Sequence, residues 1–271
     1  MEQAVRSMTE LYNEPQYELG CSFSSEDYEQ IQCDWYNSSI GHLDYYDCPE
    51  CKNKGYIAKL NQDGFMVKAR CSCMTIRDAR ENLERSGLKF MSVNNTFERY
   101  VASFPWQEHA KNKAMAYVKY SGDKWLFMAG QSGCGKTHLC TAVCTELINQ
   151  GHGLRYVMWR NILHELEGLK YKWELYQTKI KELQNIEIIY IDDFLKSIDK
   201  RQIESELNYA YEIINARYLA NKKTIISTEL HMEDILRLDT ATGSRITEKS
   251  SGWMIQIKND PGRNYRLGES K

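Results

Sequence analysis

Eight consecutive residues constrain this chain more than any other feature. Gly130-Gln131-Ser132-Gly133-Cys134-Gly135-Lys136-Thr137 fit the pattern G-x-x-x-x-G-K-[ST] in full. Glycines at these positions let the backbone curl until successive N–H groups converge on one point, which makes an anion cradle. The context agrees. The short apolar run Trp125–Ala129 reads as a strand, and Lys136–Gln150 reads as a helix ended by Gly151. A helix N-terminus adds partial positive charge where phosphates would sit. A chance glycine-rich turn would lack both flanks. The expected ligand is ATP with Mg²⁺. Lys136 is assigned to the β and γ phosphates and the Thr137 hydroxyl to the metal, while Gly130 to Thr137 and the adjoining His138 form the contact set.

A second half of such a site follows at a suitable distance. Ile188-Ile189-Tyr190-Ile191 is an apolar strand ending in Asp192-Asp193, a Walker B pattern. Strand ends on one edge of an open α/β sheet are where ligands bind. Asp192 is the predicted second Mg²⁺ ligand. Asp193 has two readings: it orients or deprotonates an attacking water, or it caps the segment that follows.

The surrounding pattern predicts the fold. Helices are expected at Gln107–Ser121, Asn161–Leu183 and Arg201–Ala220, and strands at Leu154–Met158, Ile186–Ile191, Thr224–Ser227 and Met254–Ile257. Strands separated by helices of this length imply an α/β fold, a parallel sheet with helices on both faces. In Asn161–Leu183 a single amphipathic stripe runs through Ile162, Leu166, Leu169, Trp173, Tyr176, Ile180 and Leu183. Lys170, Lys172, Lys179 and Lys181 lie beside it. Basic residues interleaved with aromatics suit a single strand of nucleic acid. The plainer reading, which we favour at this point, puts Trp173 and Tyr176 in the core and leaves the lysines solvated.

Nine cysteines, an odd number, argue against a disulfide framework. Cys48-Pro49-Glu50-Cys51 and Cys71-Ser72-Cys73 flank two strand-like segments, Gly55–Leu60 and Phe65–Ala69, with a turn signal at Asn61-Gln62-Asp63-Gly64 between them. Four thiolates suit tetrahedral Zn²⁺ with no open position, so a structural zinc site at Cys48, Cys51, Cys71 and Cys73 is expected, with free reduced thiols as the alternative. Cys140 and Cys144, one helical turn apart, read as core.

Charge is unevenly spread. The whole chain carries a formal −2, yet residues 1–47 hold ten acidic residues and Arg6 as their one basic residue. That segment is either a docking arm or a solvated leader. Ser24-Ser25-Glu26-Asp27-Tyr28 reads as the capped start of a small helix. Residues 75–90 read as a helical connector ending near Gly87. No apolar stretch reaches the ~18 residues that span a bilayer, and Met1-Glu2-Gln3 does not open a signal pattern. A cytoplasmic protein without membrane contact is the expectation. The predicted layout is an acidic helical region at 1–46, a zinc-binding hairpin at 47–74, a helical linker at 75–94 and a nucleotide-binding domain at 95–271.

Taken in order, Cys48-Pro-Glu-Cys51, Cys71-Ser-Cys73, Asn95-Thr96-Phe97-Glu98, the glycine-rich loop, Ile191-Asp192-Asp193, Ile213 to Tyr218, Lys223 to Thr228 and Gly243-Ser244-Arg245-Ile246 form a set. Over about residues 47–268 this set resembles the DnaC/DnaI family of bacterial and phage replicative helicase loaders, AAA+ ATPases related to the IstB transposition proteins. The resemblance implies an AAA+ (ASCE) sheet without a C-terminal lid. It implies that Arg245 is an arginine finger acting on a neighbouring subunit's nucleotide; read alone, Arg245 is an ordinary surface residue on a helix. It places a γ-phosphate sensor at the end of Thr224–Ser227, where relatives carry Asn and this chain has Glu229, so Thr228 is the candidate. Arg263 or Arg266 is a weaker candidate for a second sensor. The implied partners are a hexameric DnaB-type helicase gripped by the zinc-bearing region, single-stranded DNA, and other copies of the chain through the ATP site. Two alternatives stand beside this: an IstB-like transposase helper and a zinc-containing nucleoside kinase.

Overall fold

In a computed structural model, residues 25–44, 46–85, 89–196, 203–260 and 263 are described. The acidic residues from Glu2 to Glu18, Arg6, the connector's end at Gly87, the first residue of the helix expected at Arg201, and Arg266 lie outside them. The chain divides into two compact units, Met1–Cys71 and Ser72–Lys271.

In the first unit, helix α1 (Ser25–Ser38) precedes a hairpin of β1 (Tyr56–Leu60) and β2 (Met66–Arg70). The strands are antiparallel, in a register running from Tyr56 opposite Arg70 to Leu60 opposite Met66. The turn forms where Asn61 and Gly64 predicted it. The Asn61 carboxamide oxygen accepts from the backbone N–H groups of Asp63 and Phe65, at 3.0 and 2.9 Å. Such local side-chain acceptors are what favour Asn in turns. Two devices tie α1 to the hairpin. Asn37 exchanges a pair of hydrogen bonds with the Ala58 backbone (2.9 and 3.0 Å), and Glu29 accepts from Met66 N–H at 2.7 Å. Lys54 donates to the carbonyls of Tyr36 and Ser39, the negative end of α1. Apolar burial is slight here: besides its cysteines, Ala58 is the buried apolar residue among those described.

The second unit contains α2 (Cys73–Arg85), α3 (Lys89–Asn94), α4 (Pro105–Val118), β3 (Leu126–Ala129), α5 (Lys136–Asn149), β4 (Leu154–Met158), α6 (Trp159–Leu169), α7 (Trp173–Asn185), β5 (Ile188–Asp192), α8 (Ile203–Leu219), β6 (Lys223–Thr228), α9 (Met232–Leu238), α10 (Thr240–Lys249) and β7 (Met254–Gln256). The five strands form one sheet in the order β4-β5-β6-β3-β7, and each adjacent pair is parallel. Successive side chains alternate between faces, as strand geometry requires. Leu126, Met128, Tyr156, Ile188 and Tyr190 meet Leu139, Cys144 and Leu147 of α5 and Ala110 and Tyr117 of α4. Phe127, Ala129, Val157, Ile189 and Ile191 meet residues of α6, α7, α8 and α10 on the opposite face. The sheet is thus covered on both faces, as the alternation of strands and helices predicted.

Two expectations change. The helix expected over Asn161–Leu183 is two helices, α6 and α7, separated by Lys170–Lys172. One straight helix of that length would run about 35 Å, twice the ~17 Å of a five-residue strand. Breaking it lets Ile162 and Leu166 from one half, and Ile180 and Leu183 from the other, pack on the same face of the sheet. Trp173, expected in the core, is instead 69% exposed just past the break. Helix α9 was not anticipated, and α10 only as an unbounded helix around Arg245. Asp239 caps α10, accepting from Ala241 and Thr242 N–H at 3.1 Å. Gly243 lets the two helices touch, since a Cβ there would lie 3.0 Å from Leu236 Cα.

Candidate functional site

The glycine-rich loop leaves β3 and enters α5 at the C-terminal edge of the sheet. Gly130, Gly133 and Gly135 all take positive φ angles (151°, 77° and 93°). Gly130 is also sterically required, because a Cβ there would come within 2.9 Å of Ile257 Cβ and 3.0 Å of its carbonyl oxygen. Lys136 is buried and donates to the carbonyl oxygens of Gly130 and Gln131 at 2.7 and 2.9 Å. Gln131 is fixed by a reciprocal pair with the Asp260 backbone, 2.6 and 2.7 Å. Cys134 points into the core, where burial pushes its thiol pKa up, so it stays protonated and unreactive.

Thr137 and Asp192, both assigned to Mg²⁺, come together: the Thr137 hydroxyl lies 3.3 Å from Asp192 Oδ1. Asp192 is buried at the end of β5. Its Oδ1 also accepts from the Ser227 hydroxyl and from Asp193 N–H (3.1 Å), and Oδ2 accepts from Tyr156 Oη at 3.3 Å. Burial first, and then the neighbouring Asp192 carboxylate, push the Tyr156 phenol well above the ordinary tyrosine value, which keeps it a donor. A hydroxyl and a carboxylate facing each other beside a phosphate cradle are the donor chemistry a hard divalent cation takes, so these residues fit Mg²⁺.

Asp193 takes a left-handed backbone conformation (φ 55°), as does Leu195. Among the described residues its carboxylate meets Lys196 Nζ at 3.3 and 3.4 Å and caps no helix. Lys196 is paired a second time, with Glu229 at 2.8 Å. Burial alone would lower the Lys196 pKa, but the carboxylates of Glu229 and Asp193 outweigh it and hold the ammonium above its ordinary value. Asp193, Lys196 and Glu229 line one cavity of about 440 Å³ together with Ser132, Lys136 and Thr137. Its far wall is Met91, Asn95, Arg99, Tyr100 and Val101, a mixed apolar and polar surface suited to a base and sugar. His138 lines the cavity, with a ring nitrogen 2.8 Å from Thr96 O and its ring edge-on to Tyr100.

The remaining candidates sit away from this lining. Thr228 is fully buried; its hydroxyl donates to Phe194 O (2.7 Å) and accepts from Leu230 N–H (3.1 Å). It is the preceding Ser227 that reaches Asp192. Arg245, half-buried on α10, donates to Ala241 O at 2.7 Å and lies over the rings of Tyr211 and Tyr218, 5.2 and 5.7 Å from their centroids. Arg263 stacks on Trp106 (5.3 Å) and pairs with Asp260. Sequence reasoning missed Tyr156, Ser227 and Lys196. The strand alternation that buries Tyr156 was visible; the turn that returns Lys196 to Asp193 was not.

The four cysteines expected to bind zinc converge. Cys48, Cys51, Cys71 and Cys73 are all buried, and their sulfur atoms lie within 4.8 Å of one another, with Cys48 and Cys71 3.6 Å apart. Thiolates about 2.3 Å from a zinc ion are about 3.8 Å from each other, so the set fits a structural site. The Cys48–Cys51 knuckle is built by positive φ angles at Lys52, Asn53 and Gly55 (49°, 65°, 79°). The Asn53 side chain accepts from Cys48 N–H at 2.9 Å, and the Cys51 sulfur accepts from Gly55 N–H at 3.3 Å. Cys140 and Cys144 are buried in α5, as their spacing predicted.

Around the α6–α7 break, Tyr176 packs against the core as expected, but Tyr171 and Trp173 do not. Tyr171 is 94% exposed, and Lys170 and Lys172 flank it in solvent. Trp173 stacks on Tyr176, whose hydroxyl donates to Glu212 at 2.6 Å. Lys179, by contrast, is paired with Glu165 (2.6 Å) and Glu182.

The chain is similar to known ATP-binding proteins. Residues 65–264 match the family profile described as IstB-like ATP binding protein. The phage-like element PBSX protein XkdC of Bacillus subtilis (strain 168) is 29% identical over 244 residues, 82% of this chain and 85% of that protein. The replicative helicase loader DnaC of Escherichia coli (strain K12) is 24% identical over 183 residues, 65% of this chain and 72% of that protein. Among solved structures, a crystal structure of the DnaC helicase loader superimposes with a TM-score of 0.50 at 22% identity, covering 62% of this chain and 99% of that one, a likeness of fold. No described helix is long and apolar enough to cross a membrane.

Proposed function

The chain belongs to the IstB-like ATP binding protein family, and from that premise we propose that it is an ATP-controlled loader that places a ring-shaped replicative helicase on single-stranded DNA. The observation that carries the reading is the junction of Thr137 and Asp192 beside the glycine-rich loop, an ATP·Mg²⁺ site, in a chain related to a protein named as a replicative helicase loader.

Each part of the molecule has a role in this scheme. The loop N–H groups and Lys136 hold the phosphates, Lys136 leaving its carbonyl partners to do so. Thr137 and Asp192 would hold Mg²⁺, which would supply charge neutralisation to the triphosphate. Asp193 orients the attacking water and takes its proton as the oxygen–phosphorus bond forms and the bond to the β–γ bridging oxygen breaks, leaving ADP and phosphate. Turnover is slow, because Asp is a short reach for this task; before nucleotide enters, Lys196 restrains it. Arg245 completes the site of an adjacent copy: its guanidinium is kept in one orientation by Tyr211, Tyr218 and Ala241. Thr228 keeps the end of β6 in place beside Phe194, and through it Ser227 against Asp192.

Support for the partners comes from two surfaces. Tyr171 and Trp173, with Lys170 and Lys172, offer aromatic faces beside positive charge, which suits single-stranded DNA. Helix α1 exposes Tyr28, Ile31 and Trp35 along one stripe among Glu26, Asp27 and Asp34, a surface suited to gripping another protein. We assign the acidic region and the zinc hairpin to the helicase. The reading predicts that the chain and its own organism's helicase co-migrate on a sizing column in ATP and less so in ADP; separate migration under both conditions removes it.

The family description itself favours a second reading, an ATPase helper of a transposase with the same core and a different protein partner. Capture of a transposase rather than the helicase in the same experiment would select it. Membership of this family favours either reading over a nucleoside kinase.

A further inference from the structure

Lys196 has no role in the scheme above beyond restraining Asp193, yet its position is unusual. It is the one cation besides Lys136 and Arg99 in the described lining of the nucleotide cavity, and it faces both carboxylates there. Its Nζ lies 2.8 Å from Glu229 and 3.3 Å from Asp193. Neither partner is sealed in, for the side chains of Lys196, Asp193 and Glu229 are 41%, 36% and 32% exposed, so the ammonium can change partners without crossing a packed core.

The backbone leading to it is fixed. Phe194 and Leu195 are buried, Phe194 N–H donates to Ser227 O at 2.9 Å, and Phe194 O accepts from Thr228. With Asp193 and Leu195 both left-handed, the turn doubles back, and Lys196 N–H donates to Asp193 O at 3.2 Å. Left-handed conformations at two non-glycine residues are costly and persist only where surrounding contacts impose them. A fixed turn thus presents a partly exposed ammonium to the cavity that Thr137, Asp193 and Glu229 line.

We propose that Lys196 is the residue by which this site distinguishes ATP from ADP: it stays with Asp193 and Glu229 when the nucleotide ends at the β-phosphate, and it transfers to the γ-phosphate when one is present, freeing Asp193. A lysine ammonium is a compact charge with three donors on a flexible stem, which suits such an exchange. The same exchange explains Glu229 at a position expected to carry a neutral sensor: it is the acid that holds Lys196 in waiting. This inference rests on the ATP-site reading above and adds a residue to it.

The test is equilibrium binding of a fluorescent, non-hydrolysable ATP analogue and of the matching ADP, both with Mg²⁺, to the full chain. Lys196→Ala is expected to weaken the ATP analogue about tenfold or more, the scale of one charge-assisted hydrogen bond, while ADP affinity stays within about twofold. Lys196→Arg should restore most of the preference. Glu229→Gln should tighten the ATP analogue several-fold and leave ADP unchanged, since it removes a competitor. Equal loss for both nucleotides in Lys196→Ala, or an unchanged ratio, overturns the proposal while leaving the nucleotide site standing. A wild-type chain that binds neither nucleotide overturns both.

Discussion

Stripping the metal from the four-cysteine cluster is predicted to unfold the hairpin unit, and the structure sets the scale. Holding the ten residues of β1 and β2 in place costs about 1–2 kcal/mol each in backbone entropy, of order 15 kcal/mol in all. Against this, the described part of the unit buries Ala58 and its cysteines and little else that is apolar. At about 1 kcal/mol for each such small side chain, that burial returns about 5 kcal/mol. The shortfall of about 10 kcal/mol matches what a structural zinc ion contributes in small metal-dependent modules. The assay is direct. Metal content should be one zinc per chain, and a zinc-specific chelator should release it. Hydrogen exchange at the hairpin amides from Tyr56 to Arg70 should then rise to the rate of an unstructured peptide, and Cys71→Ser should reproduce the effect without chelator. If the amides stay protected after the zinc is gone, the hairpin holds itself up and the reasoning fails.

Other perturbations have equally defined outcomes. Arg217 is fully buried on α8 with no carboxylate partner among the described residues, donating instead to the carbonyls of Leu183, Ile186 and Lys223 and to Thr224 Oγ1 at 2.6–2.9 Å; Arg217→Met leaves those acceptors unmet and should cost about 3 kcal/mol or more in denaturant unfolding. Gly130→Ala should lose nucleotide binding at least tenfold, because the new Cβ meets Ile257; binding within twofold of wild type would show that the loop relaxes freely. Tyr171→Ala with Trp173→Ala should weaken single-stranded DNA binding by about 1–3 kcal/mol per stacked base in a fluorescence anisotropy titration without altering thermal stability, as both side chains are exposed.

What the sequence disclosed followed from how local each signal is. The glycine-rich loop, the Asp192 strand and the hairpin are each written within about fifteen residues, and the structure places them where those residues point. The break at Lys170–Lys172 was hidden because the apolar stripe keeps its spacing from Ile162 to Leu183, so periodicity alone reads through a turn that only the width of the sheet demands. The exposure of Trp173 follows from that break. Helix α9 was missed because it is short, and the helix around Arg245 was left without bounds, although Asp239 marks its start. Lys196 and Ser227 join the site through tertiary placement: one through the reversed turn at Asp193 and Leu195, the other through the register of β6 beside β5. Neither carries a motif.

The central claim is that ATP in this site governs delivery of a helicase to single-stranded DNA. It is tested most directly by counting helicase rings deposited on circular single-stranded DNA by this chain, in ATP and in ADP, for wild type, Lys136→Ala and Arg245→Ala. The account predicts deposition with ATP and the wild-type chain, and a drop to the level of helicase alone for either variant. Rings deposited equally well in ADP, or by Lys136→Ala, would contradict it.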